Sequence, residues 1–181
     1  MNWVIAKKRR VALKSLLGAT IAVLLLPAKP ILAVDERQLS FYHTHTKKEL
    51  HVTYQRNGEF IDSALLEIDN FLFDFRTGDA AAIDPDLVDL VYEIRESLGS
   101  DGTFEVISAY RSPKTNEMLR GRSNGVARNS QHLLGKAIDV RLRDVETTKL
   151  RDAALAMQGG GVGYYEKSNF VHIDTGRVRR W

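Results

Sequence analysis

The sequence of 181 residues contains no cysteine. This absence excludes a disulfide scaffold, a cysteine-ligated zinc finger, an iron–sulfur cluster and a thiol nucleophile, although it leaves the compartment open. Hydrophobic residues at 44% and charged residues at 27% are ordinary for a folded protein and argue against wholesale disorder. A chain of this length is expected to form one domain plus a short extension, with a core that folds without a metal or a disulfide.

Acidic residues are absent from residues 1–33, which contain six basic side chains. The remainder, residues 34–181, has 20 basic and 23 acidic residues and therefore a net charge of −3. The pI of about 9.2 would by itself suggest a nucleic-acid-binding protein. Because the excess positive charge lies at one end, the pI does not predict nucleic-acid binding by the rest of the chain.

The first segment of the chain has the features of an export signal. The basic sequence KKRR at residues 7–10 precedes an apolar run at residues 15–26, and ILA at residues 31–33 is a candidate cleavage site. The run of 12 residues is shorter than the roughly 20 that cross a bilayer as a helix. We therefore expect residues 34–181 to be an exported domain without stable membrane insertion. The sequence RRVALK at residues 9–14 is similar to a twin-arginine motif, and the general secretory route is the alternative.

Hydrophobic spacing and turn residues after the export signal predict both strands and helices. Aromatic, β-branched and alternating segments predict strands at residues 39–43, 50–54, 104–110, 136–142, 162–165 and 169–174. Apolar stripes and capping residues predict helices at residues 63–76, 85–98, 114–121 and 144–157, the last capped by Asp144. No internal repeat or linker interrupts this region. The pattern predicts a single α+β domain in which helices pack on a small, mostly antiparallel sheet.

Two histidines and an aspartate form a candidate metal site. His132 precedes a predicted strand, Asp139 lies on that strand, and His172 lies on another strand. Catalytic zinc takes three protein ligands and leaves a position for water, and without cysteine these ligands must be imidazole and carboxylate. The spacing alone leaves open that the three are ordinary hydrogen-bonded residues. His43 and His45 of the first predicted hairpin share a face without a nearby acid, so we interpret them as packing or solvated residues.

Three motifs follow one another in the second half of the chain: SAYRS at residues 108–112, S-x-H-x6-D at residues 130–139, and FVHID at residues 170–174. Together with the closing segment at residues 159–181, they resemble the M15-type zinc peptidases of the LAS superfamily. Within that group the chain is most similar to the murein endopeptidase K family of Gram-negative bacteria. The resemblance implies a fold like that of the hedgehog and D-Ala-D-Ala-peptidase proteins.

The resemblance also implies that His132, Asp139 and His172 bind one Zn²⁺ per chain. It implies a periplasmic metallopeptidase that hydrolyses the peptide cross-links of peptidoglycan in cell-wall remodelling. We also expect a monomer that does not bind nucleic acid. A D,D-carboxypeptidase and a non-catalytic wall-binding module that keeps the metal are the alternatives. The resemblance leaves open whether the D-Ala–diaminopimelate or the diaminopimelate–diaminopimelate cross-link is cut.

Two further residues are candidates for catalysis. Arg111 matches the arginine of the family's SxYRS motif, which implies contact with the carbonyl or the developing oxyanion of the scissile bond, as suits a guanidinium. The alternative is that Arg111 holds its loop by hydrogen bonds. Many relatives have an acid three positions before the last histidine ligand, but Asn169 stands there. Asp174, on the same strand face as His172, is therefore a candidate general base or a partner that orients the His172 ring, and Glu166 is a weaker candidate base.

Overall fold

The structure is a computed structural model that describes residues 34–123 and 125–181. The predicted export signal, with its cleavage site and twin-arginine motif, lies outside the described residues. Within those two ranges, no helix has both the length and the apolar character needed to cross a membrane.

The described part of the chain contains one eight-stranded sheet. Its strands are β1 (Glu36–His43), β2 (Glu49–Arg56), β3 (Glu59–Phe60), β4 (Phe104–Ser108), β5 (Ala137–Leu142), β6 (Gly161–Tyr165), β7 (Phe170–Asp174) and β8 (Arg179–Arg180). Their order across the sheet is β3-β2-β1-β4-β5-β7-β6-β8. The neighbours β1 and β4, and likewise β6 and β8, run parallel, whereas the other neighbouring strands run antiparallel. The predicted α+β fold with a mostly antiparallel sheet is confirmed.

Helices lie between the strands at the four predicted places. They are α1 (Asp62–Phe71), α2 (Pro85–Ser97), α3 (Pro113–Arg122) and α4 (Thr147–Met157), and two 3₁₀ helices span Gln131–Leu134 and Glu166–Ser168. The start of α2 shows the expected local chemistry. The side chain of Asp84 accepts a hydrogen bond from the backbone N–H of Asp86, and proline occupies the first turn, where its missing N–H is harmless.

Side-chain alternation on the central strands separates a hydrophobic core from a polar face. On β5, Ile138 and Val140 are buried in the core, and Asp139 between them points to the opposite face of the sheet. On β7, His172 is likewise flanked by two core residues. The side chains that α1, α2 and α4 contribute to this core include Ile68, Leu87, Val91, Ile94, Leu150 and Ala154. The core therefore packs against one face of β5 and β7, and the other face carries the candidate site.

The first helix is shorter than its hydrophobic spacing predicts. The prediction covered residues 63–76, but α1 ends at Phe71 and a turn follows. The reason is Asp74, a fully buried residue whose carboxylate accepts hydrogen bonds from the backbone N–H and the hydroxyl of Ser112 at 2.9 and 2.8 Å. Its carbonyl oxygen accepts from the N–H of Gly78, which closes the turn. The hydrophobic spacing of residues 63–76 cannot indicate this end, because the partner of Asp74 lies 38 residues away in the sequence.

The prediction that Asp144 caps the last long helix is wrong. The helix α4 begins at Thr147, and the residue before it is Glu146. The Asp144 carboxylate instead accepts the hydroxyl hydrogen of Ser100, with oxygen–oxygen distances of 2.8 and 2.9 Å. The Asp144 carboxylate therefore bonds to the distant hydroxyl of Ser100 and does not cap the start of α4.

The two histidines of the first hairpin pack among aromatic rings. The Nδ1 atom of His43 accepts the backbone N–H of His45 at 3.2 Å, and the His45 ring stacks on Phe75 with centroids 3.9 Å apart. Burial, and then the positive charge on His45, lower the pKa of His43 to about 4. His43 is therefore a neutral packing residue at pH 7.

Gly160, immediately before β6, lies where the chain packs closely against the backbone of β7. A methyl group there would lie 1.8 Å from the carbonyl oxygen of Asp174, a backbone atom that moves only with β7. We expect Gly160→Ala to lower the free energy of unfolding by about 2 kcal/mol or more. Gly121 in α3 is the control, because a methyl group there meets nothing within 4 Å and a helical alanine adds up to about 1 kcal/mol. Equal urea midpoints for the two variants would contradict this packing.

Candidate metal centre

Three side chains from separate segments meet on the polar face of the sheet. His132, Asp139 and His172 are 1%, 3% and 7% exposed. Asp139 on β5 and His172 on β7 are direct partners in the antiparallel register, and Ser108 on β4 pairs with Asp139 from its other side. Gly163 on β6 is the partner of His172. The site is thus a row that crosses four neighbouring strands, with His132 above it.

A short, tightly turned segment brings His132 to this row. His132 lies in the 3₁₀ helix Gln131–Leu134, where the hydroxyl of Ser130 accepts its backbone N–H. The segment ends at Gly135, which has a φ of 67°. A methyl group on Gly135 would also lie 2.1 Å from the carbonyl oxygen of Ala82. Glycine is therefore needed both for the left-handed backbone and for the close approach.

Two ring nitrogens and one carboxylate oxygen form a compact triangle. The Nδ1 atom of His132 lies 2.5 Å from the carbonyl oxygen of Ala109, which only accepts, so Nδ1 carries the hydrogen and Nε2 is bare. This Nε2 lies 3.3 Å from Oδ1 of Asp139 and 3.2 Å from Nδ1 of His172. The latter two atoms are 2.9 Å apart.

The dimensions and chemistry of this triangle suit a zinc ion. Zinc binds imidazole nitrogen and carboxylate oxygen at roughly 2.0–2.2 Å in a tetrahedron, whose edges are then about 3.3–3.6 Å long. The observed edges of 2.9 to 3.3 Å are close to this length. A nitrogen-rich donor set favours zinc over Mg²⁺ or Ca²⁺, which prefer oxygen ligands. In the two described ranges, these are the residues whose ligand atoms come together around one point.

Two of the three residues, Asp139 and His132, have the protonation states that metal ligands require. Burial raises the pKa of the Asp139 carboxyl, but the charges and hydrogen bonds of His132 and His172 outweigh burial and hold that pKa well below its usual range. Burial is also the main cause that lowers the pKa of His132. Burial acts the same way on His172, but hydrogen bonds to Asp139 and Asp174 outweigh it and raise its pKa. Asp139 is therefore an anion and His132 is neutral at pH 7.

A cleft of about 460 Å³ opens above the triangle. Aromatic side chains form one wall, where the rings of Tyr165 and Phe170 stack at 4.5 Å and the Trp181 ring lies 5.1 Å from that of His172. The indole N–H of Trp181 donates to the Tyr165 hydroxyl at 3.0 Å. Gly163 makes room for this indole, since a methyl group there would lie 2.6 Å from it. The cleft could therefore receive a chain with both polar and apolar parts.

Arg111 lies on the floor of the cleft beside Asp139. Its Nε donates to the hydroxyl of Ser108 at 2.9 Å, and its Nη2 donates to Oδ2 of Asp139. Its backbone N–H donates to the carbonyl oxygen of His132 at 3.1 Å. A guanidinium has five N–H donors, so donors remain for a ligand in the cleft that Arg111 lines.

Asp174 lies behind the His172 ring, on the side opposite the triangle. Its Oδ2 accepts from Nε2 of His172 at 2.8 Å and from Nη2 of Arg179 at 2.6 Å. Its Oδ1 accepts from Nη1 of Arg179 and from the backbone N–H groups of Gly161 and Gly176. The carboxylate is fully buried, and Asp174 does not line the cleft. This arrangement orients the ring of His172 through the nitrogen that faces away from the other ligands.

Asn169 and Glu166 do not reach the cleft. Asn169 has a φ of 51°, and its side-chain oxygen accepts from the hydroxyl of Thr147 at 2.7 Å. It lines a different and larger cavity of about 650 Å³ beside α4, and none of the three ligand residues lines that cavity. Glu166 is exposed on the 3₁₀ helix Glu166–Ser168. Among the described residues, Asp139 is the one that brings a carboxylate to the lining of the cleft.

Comparison with known proteins identifies the family of this chain. The triangle of two histidines and an aspartate under the cleft could hold a metal ion, and the matched family is of the M15 peptidase type. Residues 31–181 match the profile of the family described as peptidoglycan L,D-endopeptidase MepK. The chain belongs to this family, which confirms the resemblance seen in the motifs.

Curated relatives cover nearly the whole chain. Peptidoglycan L,D-endopeptidase MepK of Escherichia coli K12 is 40% identical over 166 residues, which is 91% of this chain and 90% of the relative. The probable peptidoglycan L,D-endopeptidase MepK of Haemophilus influenzae is 38% identical over 185 residues, covering 100% of this chain and 98% of the relative. No solved structure matches the chain. The hedgehog-like part of the fold prediction therefore stays a prediction.

The sequence motifs did not indicate two residues of the site. Arg179 forms a two-pronged ion pair with Asp174, and Trp181 packs beside the ring of His172. Both lie in the closing segment GRVRRW at residues 176–181. The available signal was a buried strand acid followed within five residues by an arginine, because such a carboxylate needs a charged partner.

We expect the protein to bind one Zn²⁺ per chain through this triangle. His132→Ala, Asp139→Ala and His172→Ala should each weaken zinc binding by about 100-fold or more, because each leaves two ligands. Mass spectrometry of metal retained after dialysis measures the stoichiometry. His51→Ala is the control, since His51 is an exposed histidine bonded to the Ser40 hydroxyl and should leave one zinc per chain. Full zinc retention by all three ligand variants would contradict the assignment.

Proposed function

We propose that this protein is an exported zinc endopeptidase that hydrolyses the peptide cross-links of peptidoglycan. Family membership and the names of the relatives support peptidoglycan as the substrate. The observation that carries zinc dependence is the buried triangle of His132, Asp139 and His172 under the cleft. The L,D specificity in the relatives' names favours the diaminopimelate–diaminopimelate cross-link over D-Ala–diaminopimelate.

The three ligands would hold the metal with little freedom to move. Zn²⁺ at this site would lower the pKa of water towards about 7 and polarise the scissile carbonyl. Each ligand is fixed from behind: His132 by the carbonyl oxygen of Ala109, Asp139 by Arg111, and His172 by Asp174. Such outer partners set the ring orientation and the charge of a ligand before substrate arrives.

Arg111 stabilises the negative oxygen that develops on the scissile carbonyl. Its guanidinium is permanently charged and lines the cleft next to Asp139. Hydrogen bonds to Ser108 and Asp139 fix it in place, so it needs no rearrangement as charge develops on the substrate. The same contacts hold the SAYRS loop, so both roles considered for Arg111 are compatible.

Asp174 positions His172 and is not the general base. Its carboxylate already accepts five hydrogen bonds, including two from Arg179, and none of its surface is exposed. A general base must reach the reacting proton directly or through one water molecule. The His172 ring separates Asp174 from the triangle, so Asp174 acts through that ring.

The proposed location is the periplasm. Peptidoglycan lies outside the cytoplasmic membrane, and the predicted export signal at residues 1–33 would bring the enzyme there. We also propose that the protein is a monomer and does not bind nucleic acid.

A muropeptide digest tests the function. The purified protein should convert cross-linked muropeptide dimers to monomers, EDTA should stop the reaction, and added Zn²⁺ should restore it. His132→Ala should reduce the rate by at least about 1,000-fold, because removing a ligand removes the metal. Release of terminal D-alanine from intact dimers would instead identify a D,D-carboxypeptidase. Binding to sacculi without soluble product would identify a wall-binding module.

The Asp174→Asn variant distinguishes a residue that positions the His172 ring from a residue that acts as the general base. We expect this variant to lose zinc affinity by about 10- to 100-fold, with kcat largely recovered at saturating Zn²⁺. A general base would give the opposite result, with unchanged zinc affinity and kcat about 100-fold lower or more even at saturating metal. Glu166→Gln is the control and should leave both quantities unchanged, because Glu166 is exposed and outside the cleft.

A further inference from the structure

Arg76 reaches the cleft from a part of the chain that none of the site motifs includes. It follows α1, on the turn that replaces the predicted end of that helix, and its side chain lines the same cleft as Arg111 and the ligands. Its guanidinium carbon lies 4.1 Å from the centre of the Phe75 ring. A cation in the wall of a substrate cleft calls for a partner of opposite charge.

The fold holds the backbone of Arg76 firmly against the Arg111 loop. Its N–H donates to Oδ1 of Asp74 at 3.0 Å, while Oδ2 of the same carboxylate accepts twice from Ser112, the residue after Arg111. On the other side, Phe75 stacks on His45. One buried carboxylate thus fixes the spacing between the segments that carry the two arginines.

Arg76 differs from the other two arginines of the cleft in its ion pairing. Arg111 is paired with Asp139, and Arg179 is paired with Asp174. No Asp or Glu of the described residues forms an ion pair with Arg76, and its one hydrogen bond to Asp74 comes from the backbone N–H. Partial burial is the main reason that the pKa of Arg76 lies below its ordinary value; Asp74 opposes this effect, and the positive charge of Arg111 adds to it.

We propose that Arg76 binds a free carboxylate of the peptide stem in the cleft and thereby sets a preference for substrates that carry one. The inference rests on the proposed function, because the peptides of peptidoglycan carry free carboxylates on diaminopimelate and terminal alanine. A guanidinium offers two parallel N–H donors, which match the two oxygens of a carboxylate. Stacking on Phe75 leaves these edge donors free, since the ring covers only the flat face of the group.

Two substrates and three variants test this role. Cross-linked dimers with free carboxylates are compared with the same dimers in which the carboxylates are converted to carboxamides. For the acid substrate, we expect Arg76→Gln to reduce kcat/KM by about 10- to 100-fold, mainly through a higher KM, as for the loss of a charged hydrogen bond. For the amide substrate, Arg76→Gln and the wild type should be alike. Arg76→Lys should recover part of the loss.

Arg120→Gln is the control for charge alone. Arg120 is an exposed arginine at the end of α3, outside the cleft lining, and its loss should change neither substrate's kcat/KM by more than about twofold. Equal losses on both substrates would show that Arg76 only supports the fold, and would overturn the inference. So would a wild-type enzyme that cuts both substrates equally well. A wild-type protein that cuts neither substrate would overturn the proposed function itself.

Discussion

The direct pairing of Asp139 with His172 across β5 and β7 is the constraint on which the site depends. Strand side chains alternate between two faces, so this register puts both ligands on the polar face and the neighbouring aliphatic residues in the core. A slip by one residue would bury a carboxylate and an imidazole among aliphatic side chains and remove the metal triangle at the same time. The hydrophobic core and the candidate metal centre therefore enforce the same register.

Three buried carboxylates, one of which is Asp139 itself, connect the segments of the site. Asp139 contacts both histidines and Arg111, and Asp174 connects His172 with Arg179. Asp74 joins the turn after α1 to the loop after β4. Burying a carboxylate is unfavourable unless hydrogen bonds or opposite charges compensate, and each of these has several. Asp139 and Asp174 thus each fix an arginine guanidinium of the cleft, and Asp74 fixes the backbone of the loops beside it.

Local sequence signals located most elements and the three candidate ligands. The ligands were found because strand ends, a glycine turn and zinc donor chemistry each leave a short, readable pattern, and the family motifs then combined them. The signals failed where a side chain finds its partner far along the chain. Asp144 bonds to Ser100 and not to a helix end, and the turn at Asp74 is bonded to Ser112. The edge strands β3 and β8 have two residues each, too few for a period to show.

The sequence by itself determined the α+β class, the family, and which residue types could bind a metal, since these depend on composition, periodicity and motif order. Only the tertiary structure decided which atoms face one another. It placed Asp174 behind His172, turned Asn169 towards Thr147, and brought Arg76 into the cleft. These outcomes depend on strand register and on contacts between distant segments, and a one-dimensional pattern contains neither.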